Sequence, residues 1–291
     1  MDPDQVNSLE VELLLETLHR RYGYDFRDYT RSSIERSIAD HVQRSQVRSP
    51  SELIPKIIHD RRVFELLVRD LSVTVSTMFR DPPVFDYLRQ EVFPWLRTHP
   101  FFRIWHAGCA NGEEVYALAI LLKEANLYDR ATIFATDFND EALNTAMQGV
   151  YPIDNARTYT EDYLKSGGSR SFSEYYHAYG DHIHMNRTLR ENITFANHNL
   201  ATDEVFTEAH LILCRNVLIY FGSDLRSRSL RIFRESLTTG GFLCLGRGEL
   251  LVDANQMGFT PYYSECALYK KFESTSPRHT TLTTESGPIT S

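Results

Sequence analysis

Apolar residues in the first hundred positions recur at helical spacing. Leucines mark residues 8–21, SLEVELLLETLHRR, and the same period returns over 31–47 and 51–70, with a break at Ser49–Pro50. No strand pattern precedes Phe101, so the chain is expected to open with a helical domain, residues 1–98. Thr98, His99 and Pro100 then close its connection to a second domain. Beyond them the period changes. FRIWHA (102–107) reads as a strand, Glu113 to Ala125 as a helix, TIFATD (132–137) as a second strand and Asp140 to Met147 as a second helix. LILC (211–214) is a third strand, followed by a helix from Asp224 to Leu237 that Gly240–Gly241 is expected to stop. FLCLG (242–246) and CALYKKF (266–272) complete the series. Strands alternating with helices predict a parallel, right-handed α/β sheet covered on both faces.

Residues 150–200 interrupt that rhythm. They are rich in tyrosine and carry two alternating runs, HIHMN (182–186) and NITFAN (192–197), which predict a small antiparallel insertion over about 155–195. The α/β domain is therefore placed at 99–273. Residues 274–291, nearly all small or polar, are expected to form a disordered tail.

Composition is that of an ordinary globular protein: 291 residues, 42% hydrophobic, 24% charged. The net charge of −8 argues against broad nucleic-acid binding through a basic surface. The N-terminal residues lack the basic and apolar regions of a secretory signal, and no apolar run approaches the roughly 18 residues of a membrane span. Cys109, Cys214, Cys244 and Cys266 show no CxxC spacing and read as reduced core residues of a cytoplasmic protein. His182 and His184 alternate in one strand but are expected to face solvent, and no metal site is anticipated.

The chemistry concentrates in RIWHAGCANGEEVYALAI, residues 103–120. A strand ends at Gly108, and Gly112 opens a helix. In an open α/β sheet that first crossover is where ligands bind, and glycine lets a ligand approach the main chain. The spacing is GxxxG, followed by Glu113 and Glu114, rather than the GxGxxG that cradles a pyrophosphate. Acids there repel phosphate and suit a cation, an amine or hydroxyls. Asp137 ends the second strand, 25 residues after Gly112, where an acid can accept from both hydroxyls of a ribose. A nucleoside carrying a cationic tail, such as S-adenosylmethionine, fits this set. Glu114 alone is expected to be a solvated first-turn acid.

Further stretches come in fixed order: SVTVSTMFRD (72–81), AGCANGEEVYALAI (107–120), FATDFNDEALNTAMQGVY (134–151), FANHNL (195–200), LCRNVLIYF (213–221) and GGFLCLGRGE (240–249). Together they resemble the CheR family of chemoreceptor glutamate O-methyltransferases, over residues from about 8 to 273. The resemblance implies an N-terminal helical domain followed by a Rossmann-like S-adenosylmethionine-dependent methyltransferase domain with a small antiparallel β-subdomain. It implies that Asp137 holds the ribose and Glu113 lies by the methionyl part. Asn199 and Leu200 would border the adenine. Gly108, Asn216 and Val217 would line the cofactor, with Thr74, Ser76 and Arg80 reaching across from the helical side. Arg80 and Tyr220 would be the catalytic residues. Each has a plainer reading: a turn cap for Asn199, a loop former for Asn216, a core aromatic for Tyr220 and a surface cation for Arg80. The chain departs from the family's usual pattern at Ala110–Asn111, Val115 and Arg247–Gly248, which bears on the substrate more than on the reaction.

By the same resemblance the substrate is a glutamyl side chain on the cytoplasmic helices of a methyl-accepting chemotaxis protein, and the product S-adenosylhomocysteine. The chain is expected to act as a monomer, without nucleic acid or membrane insertion. Arg31 to Arg62 carries seven basic and four acidic residues, a basic stretch in an acidic chain that could dock an acidic helix. The insertion is expected to touch a protein partner by strand addition. The alternatives are a cofactor-binding module that signals without turnover, and a carboxyl methyltransferase with another substrate.

Overall fold

The computed structural model describes residues 2–72 and 76–272; Thr74 and the expected tail over 274–291 lie outside the described residues. Helix α1, Pro3–Tyr22, begins where the Asp2 carboxylate accepts the Gln5 N–H at 2.8 Å, and it ends at Gly23 in a left-handed conformation, φ 79°. Helix α2 is Arg31–Arg44. The helical pattern over 51–70 divides, because Asp60 is extended and caps the Arg62 N–H. A 3-10 turn, Pro50–Glu52, leads into α3, Leu53–His59, and α4, Arg61–Leu71. Their shared core includes Leu14, Leu18, Ile38, Leu53, Ile57 and Leu67. Helix α5, Pro82–Tyr87, a π-turn over Leu88–Val92 and α6, Phe93–Arg97, pack elsewhere. Phe85, Leu88, Val92 and Leu96 join the core of the sheet.

In chain order the remaining elements are β1 Phe102–Ala107, α7 Glu113–Glu124, β2 Ala131–Asp137, α8 Asp140–Gln148, β3 Val150–Pro152, α9 Ala156–Lys165, β4 Tyr176–Tyr179, β5 His182–Met185, β6 Ile193–Asn197, β7 Ala209–Cys214, α10 Ser223–Ser236, β8 Leu237–Leu245, β9 Phe259–Tyr263 and β10 Leu268–Lys271. Seven strands form one sheet in the order β6-β2-β1-β7-β8-β10-β9. Alternation along the strands sends Ile104, Ile133, Leu211 and Phe242 to one face and Trp105, Ile212, Leu243 and Leu245 to the other. Burial on both faces is what makes the central strands nearly continuous apolar runs.

Three expectations change. The sheet is mixed, since β10 pairs antiparallel with both β8 and β9. Gly240–Gly241 does not stop α10: that helix ends at Ser236, and β8 starts at Leu237 and runs through both glycines. Gly240 there has φ 74°, and the register with β7 shifts between Ala209 and Leu211. NITFAN is not part of the insertion; β6 is the parallel edge partner of β2. The small antiparallel sheet is instead β3-β5-β4. It is anchored by Glu124, at the end of α7, whose buried carboxylate accepts from the hydroxyls of Tyr163 and Tyr175 and pairs with Arg89 at 3.0 Å.

The helical unit is joined to the sheet through backbone. Thr30 N–H donates to the Tyr220 carbonyl at 2.7 Å, Gly222 N–H donates to the Asp28 carbonyl at 2.6 Å, and Tyr29 and Phe221 form an isolated antiparallel bridge. Glycine is needed at 222 for this approach, because a Cβ would fall 2.7 Å from the Asp28 oxygen. No helix among the described residues is long and apolar enough to cross a membrane.

Candidate functional site

A cleft enclosing about 950 Å³, open mouth included, lies beyond the carboxyl ends of β1, β2 and β7. Its floor is the glycine turn. Gly108 and Cys109 donate their N–H groups to the Thr136 carbonyl at 2.8 and 2.9 Å. Gly108 has φ 76°, and a Cβ there would meet Val217 at 2.5 Å, so both conformation and space demand glycine. The turn presents the Ala110 N–H to Asp137 Oδ2 at 2.9 Å, while Asn139 N–H reaches Oδ1 at 3.0 Å. Asp137 is buried, and burial pushes its carboxyl above the usual range against these two donors. The Phe138 N–H is a third donor to this carboxylate, and Asp137 lines the cleft.

Nine of the sequence-derived candidates line this cleft: Ser76, Arg80, Gly108, Asp137, Asn199, Leu200, Asn216, Val217 and Tyr220. Glu113 does not. It lies buried beside Ser76, whose hydroxyl bonds its carboxylate; desolvation nonetheless pushes the carboxyl up to about 7. Asn199 does cap a turn, its Oδ1 accepting the Ala201 N–H at 3.0 Å, and it borders the cleft as well. Asn216, at φ 60°, keeps its buried Oδ1 without a partner among the described residues. The Glu249 carboxylate, fully buried, shapes that loop by accepting from Asn216, Ile219 and Gly246 N–H groups at 2.8, 3.1 and 2.6 Å. Tyr220 is only partly buried, and its hydroxyl makes no hydrogen bond to the described residues.

The expectation for Glu114 is overturned. It is buried, lines the cleft and meets Arg215 at 2.6 Å. Sequence reasoning misses Arg215, although it precedes Asn216 in the same motif. Its side chain is buried and also reaches Asp81 at 2.7 Å and the Arg80 carbonyl at 2.9 Å. Burial opposes its charge, but Glu114 and Asp81 outweigh that and hold it protonated. His106 lies in the same floor. Desolvation, reinforced by Arg215, pushes it down to about 3, so it is neutral at physiological pH. Phe79 and Asp81 both have positive φ, 59° and 53°, so the turn that presents Arg80 is strained and needs these anchors. The Arg80 guanidinium forms no salt bridge among the described residues. The four cysteines are free and buried, and burial raises their thiols, which makes them poor nucleophiles.

A nucleoside with a charged amino-acid tail fits these residues. The cleft offers the Asp137 carboxylate with Phe138 and Leu200 in its lining, and also the Asn216 carboxamide oxygen, Arg80 and Glu114.

Comparison with known proteins agrees. Residues 74–264 match the family described as CheR methyltransferase, SAM binding domain, and residues 9–72 match CheR methyltransferase, all-alpha domain. The Pseudomonas putida protein Cher3 is 47% identical over 86% of this chain and 91% of its own length. A chemotaxis protein methyltransferase of Listeria innocua is 28% identical over 87% of this chain and 95% of its own. A 104.1 kDa protein of Rhodobacter capsulatus is 33% identical over 82% of this chain, but the match spans only 25% of that larger protein.

Proposed function

The chain belongs to the CheR methyltransferase family and uses S-adenosylmethionine, and from that premise we propose that it methylates glutamyl carboxylates on the cytoplasmic helices of chemoreceptors. The observation that carries the choice of a carboxylate is Arg80, a cation lining the cleft whose charged neighbour Glu114 is already paired with Arg215 at 2.6 Å. Bound S-adenosylmethionine supplies an electrophilic methyl group on a sulfonium. A glutamate is already ionised at pH 7 and needs no general base. The residues of this chain then have positional tasks. Arg80 orients the carboxylate by charge-assisted hydrogen bonds, and Tyr220 donates a second. Asp137 holds the ribose, Asn199 and Leu200 border the adenine, and Asn216, Val217, Gly108 and Ser76 hold the tail. Glu113 acts from behind Ser76. Alignment of this kind supplies about 7–11 kcal/mol of a barrier.

Arg36, Arg48 and Lys56, exposed and without salt bridges among the described residues, support docking of an acidic helix on the helical unit. The other four cations of that stretch, Arg31, Arg44, Arg61 and Arg62, are each paired. We place residues 76–97, on their packing, with the catalytic unit, and the protein in the cytoplasm. Strand β4, an edge of the small sheet, is the proposed place for a receptor tail. The test is incubation with methyl-labelled S-adenosylmethionine and receptor cytoplasmic fragments. Base-labile, volatile methanol is expected; cofactor binding with no transfer to any receptor would refute the proposal.

A further inference from the structure

Tyr29 of the helical unit enters the cleft from outside the stretches that mark the site in the sequence. Tyr29 lines the cavity together with Asp137, Phe138 and Leu200, although it lies far in sequence from the α/β unit. Its position is fixed twice. The backbone on either side is joined to the loop after β7 by the Thr30–Tyr220 and Gly222–Asp28 hydrogen bonds. Its ring packs edge-on against Phe26 and Phe221, with centroids 5.1 and 5.0 Å away.

The hydroxyl is the informative atom. A tyrosine kept only for packing normally satisfies its hydroxyl. Others in this chain do: Tyr22 donates to the Ile57 carbonyl at 2.7 Å, Tyr116 to Ala146 at 2.8 Å and Tyr151 to Asn111 at 2.8 Å. The Tyr29 hydroxyl makes no hydrogen bond to the described residues. Burial, and then the Asp137 charge, raise its pKa, so it is a neutral donor and acceptor at pH 7. The ionised Asp137 carboxylate can only accept, and the backbone N–H groups of Ala110, Phe138 and Asn139 already bear on it. A ribose has two neighbouring hydroxyls that both donate and accept, and a phenol beside a carboxylate complements them.

We infer that the Tyr29 hydroxyl is a direct contact for the ribose of bound S-adenosylmethionine, shared with Asp137, so that the helical unit builds one wall of the cofactor pocket. This rests on the proposed role of Asp137 in holding the ribose. It also makes cofactor occupancy a restraint on the segment that leads into α2, because Thr30 precedes Arg31 directly.

Tyr29→Phe removes one oxygen and keeps the packed ring. Calorimetric titration of the full chain should show dissociation constants raised about three- to tenfold, the worth of a neutral hydrogen bond. The rise should be alike for S-adenosylmethionine, S-adenosylhomocysteine and methylthioadenosine, which lacks the amino-acid tail. In turnover, KM for the cofactor should rise while kcat stays within about twofold. In the wild-type chain, S-adenosylhomocysteine should slow amide hydrogen exchange at Thr30 and Gly222. Equal dissociation constants for Tyr29→Phe and wild type, or exchange at those two amides indifferent to ligand, would overturn the inference. If Asp137→Ala also left affinity unchanged, the ribose assignment itself would fall; a loss with Asp137→Ala alone would refute Tyr29 only.

Discussion

Arg215 holds Arg80 by its backbone: one guanidinium nitrogen donates to the Arg80 carbonyl at 2.9 Å, while the Arg80 side chain faces the cleft. One buried cation thus fixes the turn that presents another. Arg80→Ala should lower turnover by at least 10²-fold, about 2.7 kcal/mol, with cofactor affinity changed much less. Arg80→Lys keeps the charge and loses the planar fork, so partial rescue is expected. Parallel binding and methyl-transfer measurements decide; near-normal values for both variants would remove Arg80 from the mechanism.

Arg215→Ala is a stability variant first. It leaves Glu114 buried without its cation and frees the strained Phe79–Asp81 turn. Breaking a buried pair from one side costs about 3–5 kcal/mol. Urea unfolding should show that loss, and Arg215→Ala combined with Glu114→Gln should recover part of it. A double variant no more stable than the single one would mean the pair is not the cause.

Asp137→Ala should weaken cofactor binding by about 1.5–3 kcal/mol, the range for hydrogen bonds to a charged group, as read by calorimetry. NADH should not bind specifically, since the turn is GxxxG and lacks the GxGxxG spacing that cradles a pyrophosphate.

Glu113 gives a pH signature. Its carboxyl is raised in the folded protein to about 7 from an ordinary 4.5, so the folded state binds that proton more tightly than the unfolded chain. The associated stability is fully present below about pH 4.5 and is lost as pH rises through 7. Glu113→Gln removes the titration. Its stability relative to wild type should therefore improve between pH 5 and 8, by up to about 3 kcal/mol at 1.36 kcal/mol per decade. A pH-independent difference between the two would show that Glu113 does not titrate in this range.

Much of this site was legible because its signals are local. Strand β1 and the start of α7 follow from an apolar run, two glycines and a helical period within twenty residues, and the structure adds why Gly108 must lack a Cβ. What escaped depends on contacts distant in sequence. Glu114 looks like any first-turn acid until Arg215, from the end of β7, is brought against it. NITFAN alternates as a hairpin strand would, and only its pairing with β2 places it at the edge of the main sheet. The reversal at β10 has no local mark, since one strand reads alike in either direction. Tyr29 has no local signal of a site role, and its partner Phe221 lies almost two hundred residues away.

Glu124 and its tyrosines have a mechanical consequence. The helix whose first turn closes the cleft is the one whose last residue clamps the small sheet, and Tyr151 of β3 meets its other end by donating to the Asn111 carbonyl at 2.8 Å, so cleft and sheet lie along one stiff rod. At 1.5 Å per residue, the twelve residues of α7 make that rod about 18 Å long. A segment gripped at the small sheet would be neither pushed toward the cleft nor withdrawn from it as α7 holds its length. It would be leashed at a constant distance. A tethered substrate would then gain through local concentration, set by the slack between its grip and its glutamate, with the catalytic step itself unaltered.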